Sequence, residues 1–189
     1  MLTYYTDGSA SPNPGPGGFA VIQDLKPVVL GTEPEDSGVP STNTTNIRME
    51  GYAILAALKH SAGEPCEIFT DSEFWINVIT KWAPGWEVKG WKKSGGPIKN
   101  LDIVQEVYPL YQGSQAKLTW VRGHEGDPGN EAADHWPTKP VKAPDFSGQL
   151  WYTSTNYERR IRNPRSRKCT SSRSAQKSAC AGNDRRQRA

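Results

Sequence analysis

Four acidic residues stand where chemistry is possible: Asp7 in "YYTDG", Glu50 in "RMEG", Asp71 in "FTDS" and Asp134 in "AADH". They are separated by 43, 21 and 63 residues, so no local motif links them and only a fold can bring them together. Asp7 and Asp71 each follow a short run of aromatic and β-branched residues. If those two runs are neighbouring parallel strands, both acids emerge at one edge of the sheet, where ligands of such sheets gather. Glu50 and Asp134 fall in helical stretches and can close the ring. Four carboxylates in one small space repel, and some take up protons unless cations neutralise them. Mg²⁺ suits the task, because it prefers oxygen ligands and keeps waters that a phosphate oxygen can replace. Two such ions about 3.5–4 Å apart can hold both the attacking water and the leaving oxygen of a phosphodiester. Taken singly, each acid is an ordinary turn former or helix cap. The signal is their joint placement.

Two further stretches carry candidate groups. In "NPGPGG" the glycines and prolines could cradle a phosphate, serve the neighbouring acid, or simply turn a hairpin. The loop lacks a following GK[ST] and opens no helix, so the nucleotide-loop reading is weak. A tight hairpin whose small residues let a duplex come close to Asp7 fits better. In "KWAPGWEVKGWKKSGGPIK" five lysines stand against one glutamate, with Trp82, Trp86 and Trp91 among them. Lysines there would contact phosphates without regard to base sequence. Tryptophan faces can pack on sugars or on one another.

The elements that must position these groups follow from periodicity. "LTYYT", "GFAVIQ" and "PVVLGT" read as three strands of an antiparallel meander. Residues 33–44 are polar and turn-rich and read as a loop. "NIRMEGYAILAALKHSAG" shifts to helical spacing, with Thr45 or Asn46 as its cap and Gly63 beyond its end. "CEIFTDS" is a fourth strand, and "EFWINVITKW" a helix interrupted by Pro84 and Gly85. "NLDIVQEVYPLY" is another helix, "AKLTWVR" a fifth strand, and "NEAADHW" a helix with Asp134 in its first turn, stopped by Pro137. The order βββαβααβα makes an α/β sheet of mixed direction with helices packed on it.

Composition excludes several classes. The 189 residues are 35% hydrophobic, enough for one core. No apolar run of about eighteen residues suggests a membrane span, and the N-terminus lacks signal-peptide features. Three cysteines show no metal-ligand spacing, so reduced thiols and a cytoplasmic setting are expected, with Cys66 a packing residue. The net charge of +3 hides a division: residues 158–189 hold 11 Lys/Arg and 2 Asp/Glu, leaving 12 against 18 in residues 1–157. The basic tail is poor in apolar groups and reads as disordered. With no coiled-coil seam, a monomer is expected.

"TDGSASPNPGPGGFAV", "TTNIRMEGYAIL", "IFTDSEFWI" and "WVRGHEGDPGNEAAD", in this order, resemble type 1 ribonuclease H over residues 1 to about 136. That family cuts the RNA strand of RNA/DNA hybrids. The resemblance implies a five-stranded mixed sheet, three antiparallel strands then two parallel, with helices on both faces. It implies a catalytic domain 1–136; beyond it the sequence itself reads as an irregular extension 137–157 and the basic tail 158–189. It implies that Asp7, Glu50, Asp71 and Asp134 bind two Mg²⁺ ions, or Mn²⁺. His124 is implied in proton transfer or product release. Asn13 and Asn46 are implied to contact the hybrid near its minor groove, and Thr45 a DNA phosphate. Trp82, Trp86, Lys89, Trp91 and Lys92 fall in the family's substrate-binding handle. The implied products carry 5′-phosphate and 3′-hydroxyl ends, with little sequence preference.

The chain also departs from the family pattern. Ile47 replaces a frequent asparagine or glutamine, and Glu73 a frequent glutamine. Both imply weaker substrate binding or a shifted metal optimum. The last helix stops early, which implies a less firmly held Asp134. Two other functions fit part of these features: a non-catalytic nucleic-acid-binding module, and a DNA-directed nuclease on the same fold. Retention of all four acids speaks against the first, and the Trp–Lys handle against the second.

Overall fold

A computed structural model of the chain describes residues 1–123 and 127–136. The strands are β1 (Leu2–Ala10), β2 (Gly17–Gln23), β3 (Lys26–Gly31), β4 (Cys66–Thr70) and β5 (Ala116–Trp120). The helices are α1 (Asn46–Ser61), α2 (Glu73–Asn77), α3 (Ala83–Val88), α4 (Leu101–Gln112) and α5 (Pro128–His135). The sheet runs β3-β2-β1-β4-β5. Its first three strands pair antiparallel, and β1/β4 and β4/β5 pair parallel, as expected.

Alternation divides β1 between two cores. Tyr4 faces α1 and α4 with Val21, Met49, Ile54 and Ile68. Tyr5 faces the other side, where Ala20, Ile22 and Ala133 of α5 pack. Helices therefore cover both faces. Gly8 lies on the α1 side, and a Cβ there would overlap the backbone of Met49 and Glu50. The absent side chain is what lets α1 lie directly on β1.

Three local expectations are corrected. The first strand does not end before Asp7 but continues to Ala10, with Asp7 opposite Ala20. The antiparallel ladder with β2 carries it past the point where its parallel partner β4 stops. Pro84 and Gly85 do not interrupt the second helix. The chain widens into a π-helical turn over Val78–Trp82 and continues as α3. Pro84 has no N–H to return to the preceding turn, and the wider π spacing ends just before it. The last helix begins earlier than expected: the Asp127 carboxylate accepts from the N–H groups of Gly129 and Asn130, and Pro128 occupies the first turn. Asp134 is thus in the last turn of α5, not the first.

The expected extension 137–157, the tail 158–189 and His124 lie outside the described residues. Among the described residues, no helix is long and apolar enough to cross a membrane.

Candidate metal centre and nucleic-acid interface

The parallel register of β1 and β4 places their last pair at Thr6 and Thr70, so Asp7 and Asp71 follow side by side. Asp134 reaches the same place from α5. One carboxylate oxygen from each of the three aspartates lies within 4.8 Å of the others. Asp134 stands at the negative end of the α5 dipole, a placement that disfavours its charge. Burial pushes the Asp7 carboxyl up to about 7; Asp71, then Asp134 and Glu50, add repulsion, against the lowering effect of the Gly8 N–H. This is the signature of a centre built for positive charge. Three hard oxygen donors converging this closely fit a divalent cation.

Glu50 stands beside the triad. Its Oε2 accepts from the Ser72 hydroxyl at 2.5 Å. Burial raises its carboxyl above the ordinary value; the Ser72 hydroxyl opposes that shift, and Asp71 adds to it. Ser72 also caps α2, accepting from the Trp75 N–H at 3.4 Å. Trp75, fully buried, donates from Nε1 to the Ile47 carbonyl at 2.6 Å, and its ring packs on Gly51. Glu50 is therefore fixed from both sides: α1 by Gly8 and Trp75, its carboxylate by Ser72.

The residues expected to contact nucleic acid lie partly on the hairpin and at the start of α1. Thr45 caps α1, its hydroxyl accepting from Arg48 N at 3.3 Å. Asn46 Oδ1 accepts from Ala10 N at 2.7 Å, and Asn13 Oδ1 accepts from Asn46 N at 3.4 Å. Both carbonyl oxygens are engaged internally, so the donors these two side chains can offer a ligand are their amide NH₂ groups. The hairpin is tied to the turn before α1 by paired bonds between Gly15 and Thr44, each 2.9 Å.

The three tryptophans of the basic stretch differ in role. Trp86 and Trp91 pack against the main core, and Trp91 meets Tyr108 edge-on at 6.2 Å. Trp82 is 42% exposed and lies 6.0 Å from Trp86. Lys89 and Lys92 are exposed. Ile47 is exposed beside Asn46, and Glu73 is exposed in the first turn of α2. Cys66 is fully buried, with its thiol pushed up by burial, which leaves it a packing residue.

Sequence reasoning missed Ser72, Trp120 and the partners of Arg48. Trp120 is 51% exposed and donates from Nε1 to the Asp71 carbonyl at 3.2 Å, beside the aspartates. It could have been found as an aromatic at the carboxyl end of a strand parallel to the one bearing Asp71. Arg48 and Glu33 gave no signal, because a charge in a polar loop and one on a helix look solvated until the fold pairs them.

Comparison with known proteins agrees with this geometry. The family model described as RNase H matches residues 1–141. The chain is 39% identical to a ribonuclease H of Cupriavidus necator over 145 residues, which is 75% of this chain and 96% of that protein. It is 43% identical to a ribonuclease HI of Pseudomonas aeruginosa over 145 residues, 75% of this chain and 93% of that one. Among solved structures it resembles LC9-RNase H1, described as a type 1 RNase H with the type 2 active-site motif. That likeness has a TM-score of 0.60 at 27% identity, covering 84% of this chain and 79% of the other.

Proposed function

Because this chain belongs to the ribonuclease H family, we propose that it hydrolyses the RNA strand of RNA/DNA hybrids, with Mg²⁺ as its metal and as a monomer. The observation that carries this reading is the convergence of the Asp7, Asp71 and Asp134 oxygens within 4.8 Å. Divalent cations held there would supply an activated water and stabilise the leaving oxygen. Asp7, Asp71 and Asp134 are the holding groups. Glu50, oriented by Ser72, keeps one oxygen for the site while the other accepts the Ser72 proton. Water attacks phosphorus in line, the P–O3′ bond breaks, and the departing 3′-oxygen takes up a proton. The products carry a 5′-phosphate and a 3′-hydroxyl. His124 is the proposed proton carrier. Replacing it with alanine should slow turnover and leave metal binding intact; loss of metal binding in that variant would exclude the role.

The chemistry of the hairpin and α1-start residues supports this choice of substrate. The amide donors of Asn13 and Asn46 suit acceptor atoms in a wide, shallow groove lined by 2′-hydroxyls, and they read no particular base. Thr45 at the helix start suits a DNA phosphate. Lys89 and Lys92, with Trp82 exposed before them, suit the backbone of the DNA strand, while Trp86 and Trp91 shape the handle by packing.

The test uses the full chain with labelled RNA/DNA, RNA/RNA, DNA/DNA and single-stranded RNA, in Mg²⁺ or in chelator. Cutting confined to RNA in the hybrid, dependent on metal and lost in Asp7→Asn, is the expected result. Binding without cutting, or cutting of DNA, would overturn it.

A further inference from the structure

The proposed hybrid contacts sit on three elements: the hairpin at Asn13, the start of α1 at Thr45 and Asn46, and the basic stretch 81–99 that leads into α4. All three meet at one ion cluster, whose Arg48 also donates its backbone N–H to the Thr45 hydroxyl at 3.3 Å. Its centre is Arg48, whose side chain is 8% exposed, and Glu33, whose side chain is fully buried. Arg48 Nη2 donates to Glu33 Oε1 and to Asp102 Oδ2, each at 2.6 Å, and Nε to both Glu33 oxygens at 3.1 Å. Nη1 donates to Asp102 Oδ1 at 3.2 Å and to Asn100 Oδ1 at 3.5 Å, where the basic stretch enters α4. On the other side, the Thr44 hydroxyl donates to Glu33 Oε2 at 2.6 Å, and the Thr44 backbone pairs with Gly15 of the hairpin. One guanidinium thus links the hairpin, the α1 start and the root of the basic stretch.

Apolar packing of α1 on α4 through Ile103, Val104 and Val107 holds these helices together, but burial is non-directional. A guanidinium that faces a carboxylate with both arms fixes an angle as well as a distance. The fork toward Asp102 therefore sets how the basic stretch is presented relative to Asn13, Thr45 and Asn46. Resting on the hybrid-cleaving reading above, we propose that Arg48, Glu33 and Asp102 are positioning residues for the substrate, aligning three separate contact elements without touching nucleic acid or metal. Asp102 is the element of this cluster that can be removed cleanly. Its side chain is 43% exposed, and its loss leaves the buried Arg48–Glu33 pair intact.

The test compares full-length wild type with Asp102→Ala and Asp102→Glu. Steady-state cleavage of an RNA/DNA hybrid gives kcat and KM. Fluorescence anisotropy of the same hybrid in chelator gives its affinity without turnover, and calorimetry gives Mn²⁺ affinity without hybrid. Asp102→Ala is expected to raise KM and the hybrid dissociation constant about five- to tenfold, with kcat and Mn²⁺ affinity at wild-type values. Asp102→Glu should recover much of the loss. Unchanged hybrid affinity in Asp102→Ala, with only a lowered Tm, would overturn the proposal and leave the cluster structural. A fall in kcat together with Mn²⁺ affinity would also overturn it, by placing the effect at the metal centre. Failure of the wild type to bind or cut the hybrid would instead sink the underlying functional reading. A wild type that binds without cutting still tests the positioning role through the anisotropy arm.

Discussion

The Ser72 hydroxyl makes two bonds at once, donating to Glu50 and accepting from the first turn of α2. Removing it separates an orienting effect from a capping effect. Ser72→Ala should lower stability by about 1 kcal/mol through the lost cap. It should also reduce kcat about tenfold, as expected for loss of one charge-assisted hydrogen bond, with KM for the hybrid unchanged. Because the Ser72 proton opposes the burial that raises Glu50, its loss lets the Glu50 carboxyl rise further. The deficit should therefore deepen as pH falls, which a pH–rate comparison with Ser72→Thr would read. Asp7 makes a second prediction at this scale. In the metal-free protein its carboxyl holds a proton up to about 7, while in the unfolded chain it ionises near about 4. The folded value is the higher one, so this contribution to stability is fully present below about pH 4. It is lost as pH rises through about 7. Divalent metal reverses the trend, since it binds the ionised form. Metal binding should release protons near neutral pH, and metal affinity should rise as pH climbs through that range. Calorimetry in two buffers of different ionisation enthalpy measures the protons. A metal affinity that does not change with pH, or no proton release, would show that Asp7 does not hold the cation.

The way β1 and α1 are joined decides where two of the acids stand. Gly8 lets the backbone of Met49 and Glu50 lie on the strand next to Asp7. Gly8→Ala forces a Cβ into backbone that has no side-chain freedom to yield. The expected cost is about 3 kcal/mol, read by urea denaturation, together with a loss of kcat larger than that of Ser72→Ala, because Asp7 and Glu50 separate. Elements of this kind were unevenly legible. The convergence of Asp7 and Asp71 could be read from sequence only on the condition that their strands are neighbours and parallel, since each acid follows a short apolar run. The helical period of α1 was likewise written in the chain, while its cap was narrowed only to Thr45 or Asn46, of which the fold uses Thr45. The π turn before Pro84 was not, because a proline inside a helical pattern reads as a stop whether the chain breaks or widens. The early start of α5 was hidden in "DPGN", where residues typical of turns serve as cap and first turn. Ser72 and the Arg48 cluster were hidden for another reason. Their roles lie in partners 22, 15 and 54 residues away, a distance that composition and spacing do not encode.

Over the whole chain, charge is divided in a way that bears on a polyanionic substrate. Residues 1–157 carry 12 basic and 18 acidic side chains, and residues 158–189 carry 11 and 2. The first segment alone has net charge −6 and the whole chain +3. At long range a nucleic-acid duplex is therefore repelled by residues 1–157 and attracted by 158–189. The exposed Lys89 and Lys92 offer only local attraction within the first segment. Each phosphate neutralised by a Lys or Arg releases condensed counterions, so affinity falls with salt in proportion to the number of such contacts. A chain ending at residue 157 should bind hybrid more weakly at low salt, with a shallower slope of log affinity against log salt. The two proteins should converge at high salt, where screening leaves only the contacts that both share. The triad of aspartates and the Glu50–Ser72 bond lie wholly within the shortened chain, so its kcat at saturating hybrid should match the full-length value. Parallel salt slopes for the two proteins would mean that the basic segment makes no phosphate contacts, and that the lysines before α4 carry the electrostatic attraction unaided.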